Sequence, residues 1–108
     1  MQLSEKKCVP CEGGVKPFTR QEAKRYLKQV SGWSLVRKEI EKEFKFKDFK
    51  EALGFVNKVG DIAEDEGHHP DIFLHSYRKV KIISSTHAIK GLSENDFILA
   101  AKIDRIHF

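Results

Sequence analysis

The chain is poor in the residues that staple or break a fold. Its 108 residues include two cysteines, three prolines, one tryptophan and one methionine. Two cysteines cannot build the disulfide framework of a small secreted domain. No apolar run approaches the ~20 residues needed to span a bilayer. The opening Met1-Gln2-Leu3-Ser4-Glu5-Lys6-Lys7 is charged and has no apolar stretch behind it, unlike a secretory signal. These absences point to a soluble cytoplasmic chain with no membrane partner. There is no phosphate-cradling glycine loop and no G-x-S-x-G elbow, so nucleotide-dependent and serine-hydrolase chemistry are unsupported. Neither sign of charge dominates: 20 basic residues against 16 acidic ones give +4. Arg37-Lys38-Glu39 and Glu41-Lys42-Glu43 show the two signs interleaved. A nucleic-acid surface more often gathers its cations on one face, so that partner class is disfavoured.

What is present is the composition of one globular domain, 40% hydrophobic and 33% charged. A chain of this length buries roughly two-thirds of its unfolded surface, enough for a single core. An enzyme this small would take a small substrate or borrow part of its site from a second subunit.

Residues 1–17 read as an irregular leader carrying Cys8, Pro10, Cys11, Gly13-Gly14 and Pro17, and residues 18–108 as the folded domain. Thr19-Arg20-Gln21-Glu22 has the spacing of a capping box and predicts a helix to about Val30, stopped by Ser31-Gly32. Two strands follow, Trp33 to about Val36 and Ile40 to Lys47, with Arg37-Lys38-Glu39 as their turn. Asp48-Phe49-Lys50-Glu51 is a second box. It opens the longest helix, to about Glu66, on a core stripe of Phe49, Ala52, Leu53, Val56, Val59 and Ala63, and Gly67 ends it. Strands are expected at 71–75 and 77–85, with Val80, Ile82 and Ser84 on one face. Ser93-Glu94-Asn95-Asp96 is a third cap, before a helix carrying Phe97, Ile98, Ala101 and Ile103 toward Phe108. The order α-β-β-α-β-β-α implies an α+β fold: a four-stranded, mainly antiparallel sheet with three helices on one face. A sheet with an open face or edge invites association, which makes a homo-oligomer the expectation.

Five histidines occur. His68 and His69 stand where the long helix hands over to a strand, and His87 stands just past the last strand. If those two strands pair as a hairpin, the start of one lies beside the end of the other and the three imidazoles converge. Such a cluster on irregular backbone suits binding or proton transfer, since histidine titrates near neutrality. Three imidazoles also suit zinc, but no H-E-x-x-H spacing supports it. Solvated loop histidines are the plain alternative. Glu64, Asp65, Glu66 and Asp96 could orient the imidazoles, or serve only as helix-surface and cap residues. Cys8-x-x-Cys11 lies in a Gly/Pro-rich leader rather than after a strand, so a thioredoxin-like role is disfavoured. A structural zinc there would need two further ligands. Trp33 reads as core, or as a flat wall against a heterocycle.

Glu64, three residues, His68-His69-Pro70, six residues, Tyr77, nine residues, His87, eight residues and Asp96 resemble the signature of the pterin-4a-carbinolamine dehydratases. Phe44-Lys45-Phe46-Lys47-Asp48-Phe49, Ser85-Thr86-His87 and Gly91-Leu92-Ser93-Glu94 extend the likeness, which covers about residues 19–105. The resemblance implies the same α-β-β-α-β-β-α subunit, assembled as dimers or tetramers. It also implies loss of water from 4a-hydroxytetrahydropterin to give quinonoid dihydropterin, a step that recycles the cofactor of aromatic amino acid hydroxylases. No metal or redox cofactor is implied, pterin being the substrate. By resemblance His68, His69 and His87 are catalytic. Ser85 and Thr86, with backbone near Gly67 and Ala88, contact the pterin edge. Trp33 lines the pocket, and Glu64 and Asp96 support it. Gly67 departs from animal members, which carry an acid there, and the cysteine-bearing leader lies outside the animal pattern. Two other roles attach to the family: a dimerisation cofactor for a homeodomain transcription factor, and action on other pterins such as those of molybdopterin metabolism.

Overall fold

The computed structural model describes residues 2–9 and 16–107. Its helices are α1 (Arg20–Leu27), α2 (Phe49–Glu66) and α3 (Glu94–Ile103), and its strands are β1 (Ser34–Val36), β2 (Glu39–Lys45), β3 (Asp71–His75) and β4 (Lys79–Ser84). All four strands form one antiparallel sheet in the order β1-β2-β4-β3. The expected order and fold class are therefore what the chain adopts.

Local chemistry explains the boundaries. Thr19 and Glu22 close a full capping box at the start of α1. Asp48 caps α2 by accepting from the Glu51 N–H at 2.8 Å, but the Glu51 carboxylate turns to the Lys47 N–H instead of closing the box. Ser93 and Asp96 close the box of α3. α1 ends at Leu27, short of Val30, and α3 ends at Ile103, well short of Phe108, which lies outside the described residues.

The register puts Ile40 opposite Ser84, Phe44 opposite Val80, and Ile72 opposite Ile82. Residues alternate across a strand, so Ile40, Val80 and Ile82 face one way and are fully buried. They meet Ala52, Phe55 and Val59 of α2 and Phe97, Ile98 and Leu99 of α3. Each such side chain contributes roughly 1.5–3 kcal/mol by leaving water. The stripe expected for α2 is corrected here. Phe55 lies in the core, whereas Phe49 and Leu53 are 48% and 42% exposed. α2 carries two neighbouring apolar stripes, and only the one on Ala52, Phe55, Val59 and Ala63 meets the sheet and α3.

Part of the leader lies among the described residues. Leu3–Glu5 form one 3-10 turn with Leu3 buried in the core, and the segment docks on α3. No helix among the described residues is long and apolar enough to cross a membrane.

Candidate active site

α2 ends at Gly67, whose φ of 65° lies in the left-handed region that glycine occupies without penalty. The next amide, of His68, reaches back to the Ala63 carbonyl at 3.2 Å, the six-to-one closure of a Schellman ending. That bend turns His68 and His69 off the helix end. No atom lies within 4 Å of where a Gly67 Cβ would stand, so conformation and not crowding favours glycine there.

The chain beyond β4 forms a pinned loop. The Thr86 N–H donates to the Gly91 carbonyl at 2.7 Å, and the Gly91 N–H returns to the Thr86 carbonyl at 3.3 Å. A 3-10 turn over His87–Ile89 fills the loop and exposes His87 and Ala88. Gly91 is needed for close approach, because a Cβ there would stand 2.6 Å from Pro17.

These two corners enclose a cavity of about 240 Å³ lined by His68, His69 and His87 with Gly67, Ser85, Thr86 and Ala88. The β3–β4 pairing thus brings the three imidazoles to one place. Two further lining residues, Val9 and Asn95, were not anticipated. The Val9 N–H donates to Asn95 Oδ1 at 2.9 Å, and Asn95 Nδ2 donates back to the Val9 carbonyl at 2.5 Å. The Cys8 N–H donates to Glu66 Oε1 at 2.8 Å, and Glu66 is itself paired with Lys102 at 2.5 Å. Asn95 and Glu66 are both buried. An asparagine in the first turn of a helix reads as a cap residue, so no sequence signal tied it to the leader.

Asp96 organises the site. It is completely buried, yet accepts from the Ser84 hydroxyl at 2.6 Å, the Thr86 hydroxyl at 2.8 Å and the Ser93 N–H at 3.0 Å. Its Oδ1 also meets His68 Nε2 at 2.7 Å. A carboxylate only accepts, so His68 carries its proton on Nε2, which fixes the tautomer and the ring plane. One aspartate therefore caps α3, ties β4 to it and aims an imidazole. Thr86 lines the cavity, but its hydroxyl is spent inward on Asp96 and Ser93. His69 Nε2 meets Glu64 Oε1 at 2.8 Å on the exposed rim.

Trp33 does not join this cavity. It is 6% exposed in the core, its indole N–H donates to the Asp104 carboxylate at 3.0 Å, and its ring meets Phe44 edge-on. It precedes the edge strand β1, with all of β2 between it and β4, so the expected pocket role is corrected to a core one. His75 lies apart as well, bonded to Glu43 and stacked on Phe73.

Among the described residues no three or more His, Cys, Asp or Glu side chains are placed so as to hold one metal ion. Burial first, and the Glu66 carboxylate next, push the Cys8 thiol up to about 12, and Cys8 Sγ donates to the Asn95 carbonyl at 3.5 Å. Cys11, the other cysteine of the Cys8-x-x-Cys11 pair, lies outside the described residues.

Fold and cavity together define a small α+β domain whose one histidine cluster is braced by a buried carboxylate, an arrangement suited to proton transfer on a compact ligand. The chain belongs to the family described as pterin 4 alpha carbinolamine dehydratase, whose pattern matches residues 16–106. A protein of Alkaliphilus metalliredigens provisionally named pterin-4-alpha-carbinolamine dehydratase is 52% identical over 105 residues, 95% of this chain and 94% of that one. A Halorhodospira halophila protein of the same provisional name is 53% identical, over 98% of each chain. The crystal structure of a transcriptional coactivator/pterin dehydratase from Brucella melitensis superposes with a TM-score of 0.77 at 34% identity, over 82% of this chain and 96% of that chain.

Proposed function

We propose that this chain removes water from a 4a-hydroxytetrahydropterin, giving the quinonoid dihydropterin. The observation that carries the reading is the convergence of His68, His69 and His87 on one cavity, with His68 braced by the buried Asp96. Family membership supports the substrate class. In this reaction the bond from C4a to its hydroxyl oxygen breaks and a ring nitrogen gives up its proton. One group must protonate the departing hydroxyl while another takes the nitrogen's proton. Imidazoles do both near neutral pH. With Nε2–H committed to Asp96, Nδ1 is the His68 nitrogen left to exchange a proton. His87 arrives from a different element, so donor and acceptor need not share a backbone segment. Ser85 and the backbone at Gly67 and Ala88 supply polar edges for the pterin ring. The reading needs no metal or redox cofactor, because the oxidation level of substrate and product plus water is the same.

The test is dehydration of freshly generated 4a-hydroxytetrahydropterin followed by ultraviolet absorbance against the uncatalysed reaction. Acceleration is expected. His68→Ala and His87→Ala are expected to remain folded and each to lose ~10²–10⁴ in rate. No acceleration by folded wild-type protein, or wild-type rates in both variants, overturns the reading.

We further propose a homo-oligomer, supported by the exposed Phe49 and Leu53 on α2 and by the open edge β3 with Ile72 and Phe73 exposed. The same α2 stripe, with the coactivator name of the Brucella relative, favours a second reading as a dimerisation module for another protein. That reading requires stable association and survives loss of the histidines, whereas the dehydratase does not.

A further inference from the structure

A second cavity, of about 430 Å³, opens beside the histidine cavity and shares two residues with it, His87 and Ser85. Its remaining lining is Arg37, Lys38, Glu39, Lys90 and Gly91. Three cations thus face one carboxylate. None of the three cations reaches a carboxylate among the described residues, whereas Lys6, Lys7, Lys42, Lys81 and Lys102 each do.

The cations are held on short, closed backbone. Arg37 and Lys38 are the two-residue turn between paired Val36 and Glu39. Lys90 sits inside the loop that the Thr86–Gly91 bonds close. Arg37 and Lys90 both take left-handed φ, 56° and 54°. Side-chain-bearing residues are disfavoured in that region, and glycine takes it freely. Basic side chains thus stand at two positions where conformation alone favours glycine, the kind of outlier from which a functional hypothesis follows.

Size completes the argument. The histidine cavity, at about 240 Å³, falls below the ~300–1,000 Å³ of a pocket for a drug-sized ligand and suits little more than a bicyclic ring. The cationic cavity is larger and meets the histidine cavity at Ser85 and His87. A substituent on the ring that passes Ser85 and His87 enters it.

Resting on the pterin reading above, we propose that the cavity of Arg37, Lys38 and Lys90 is an anion subsite, and that the substrate class extends to pterins with a phosphate on the side chain. The phosphate carries about two negative charges at neutral pH and accepts charge-assisted hydrogen bonds from guanidinium and ammonium donors. Because the three cations are exposed, the attraction is screened by salt.

The experiment is calorimetric titration of the wild-type protein with 7,8-dihydroneopterin, with its monophosphate, and with inorganic phosphate alone, at low and at high ionic strength. The phosphorylated pterin is expected to bind at least about tenfold more tightly than the neutral one, a difference of ~1.4 kcal/mol. That preference should shrink at high salt. In the folded triple variant Arg37→Gln/Lys38→Gln/Lys90→Gln the ratio of the two affinities should fall to near one. Equal affinity for the two pterins in the wild type overturns the subsite and leaves the pterin reading standing. Binding of neither pterin overturns the pterin reading itself. Inorganic phosphate binding as tightly as the phosphorylated pterin overturns the tether to the ring, showing a site for free anions. A triple variant that keeps the wild-type preference assigns the phosphate to other residues and overturns the proposal.

Discussion

Asp96 shows how much one side chain carries in a fold this small. Its two oxygens, themselves at zero exposure, receive two hydroxyls, one backbone N–H and an imidazole. Asp96→Ala leaves those donors buried without their acceptor, at about 1–3 kcal/mol for each one that finds no substitute. The expected loss is about 3 kcal/mol, read as a fall in melting temperature of more than ~10 °C for a domain of this size. Asp96→Asn keeps one acceptor oxygen and turns the other into an NH2 donor, so it should lose less stability than Asp96→Ala, while still cutting the dehydration rate because the brace on His68 is no longer charged. Equal stability loss in the two variants would deny the shared-acceptor account. Trp33 makes the opposite case. Its indole N–H donates to Asp104, which also holds Lys42 at 2.8 Å. Trp33→Phe should cost ~1 kcal/mol in thermal denaturation through the lost hydrogen bond. Its KM for pterin should hold at the wild-type value, and a raised KM would return Trp33 to the binding site.

At the scale of elements, the leader behaves as a strap over the end of α2 and the start of α3. Its hold on the site is the exchange of two hydrogen bonds between Val9 and Asn95, reinforced by Cys8 to Glu66. Asn95→Ala removes both, each worth ~1 kcal/mol, and should loosen the Val9 wall. Steady-state kinetics should then show KM up by as much as about tenfold with kcat retained. A fall in kcat alone would mean that Asn95 acts through Asp96 and not through the strap. The same strap is sensitive to acid. Burial works to raise Glu66, but the Lys102 hydrogen bond, the Cys8 N–H and the Lys102 charge outweigh it and hold the carboxyl below its ordinary 4.5. A depressed folded value contributes stability that is complete above the unfolded value and disappears as pH falls through the folded one. Melting temperature should therefore drop below about pH 4.5 more steeply in the wild type than in Glu66→Gln. Parallel acid limbs for the two proteins would remove Glu66 from the account.

Taken as a whole molecule, the chain exposes two apolar surfaces among its described residues. One is the outward stripe of α2 at Phe49 and Leu53, and the other is the edge strand β3 with Ile72 and Phe73. An open edge offers unpaired backbone groups to another strand, and an exposed helical stripe offers apolar area to another helix. Light scattering is expected to give a mass above one 12.5 kDa chain. Phe49→Glu/Leu53→Glu should lower that mass without unfolding the subunit, because neither side chain belongs to the core. A monomeric wild type would remove the homo-oligomer and leave the stripes to a different partner.

The sequence by itself determined the seven elements, because hydrophobic period and capping residues are local. Thr19, Asp48 and Ser93 mark the helix starts, Gly67 marks a helix end, and Val80, Ile82 and Ser84 alternate into the sheet as expected. It also determined that His68, His69 and His87 would meet, since a hairpin forces the start of one strand beside the end of the next. What it left undecided needed contacts between residues far apart in the chain. The period of α2 is equally satisfied by Phe49 and Leu53 or by Phe55, and only the packed sheet and α3 select the stripe that is buried. Trp33 is an aromatic near a strand start in either account, and only the strand order β1-β2-β4-β3 removes it from the histidines. Val9 meets Asn95, 86 positions further along the chain, and no periodic pattern reports such a pair. Arg37 and Lys38 stand far from Lys90 along the chain, and only the folding of two distant turns onto one rim gathers them. Local patterns carry secondary structure because hydrogen bonding and side-chain period act over a few residues. Burial, proximity and shared electrostatics arise only when the sheet brings distant segments together.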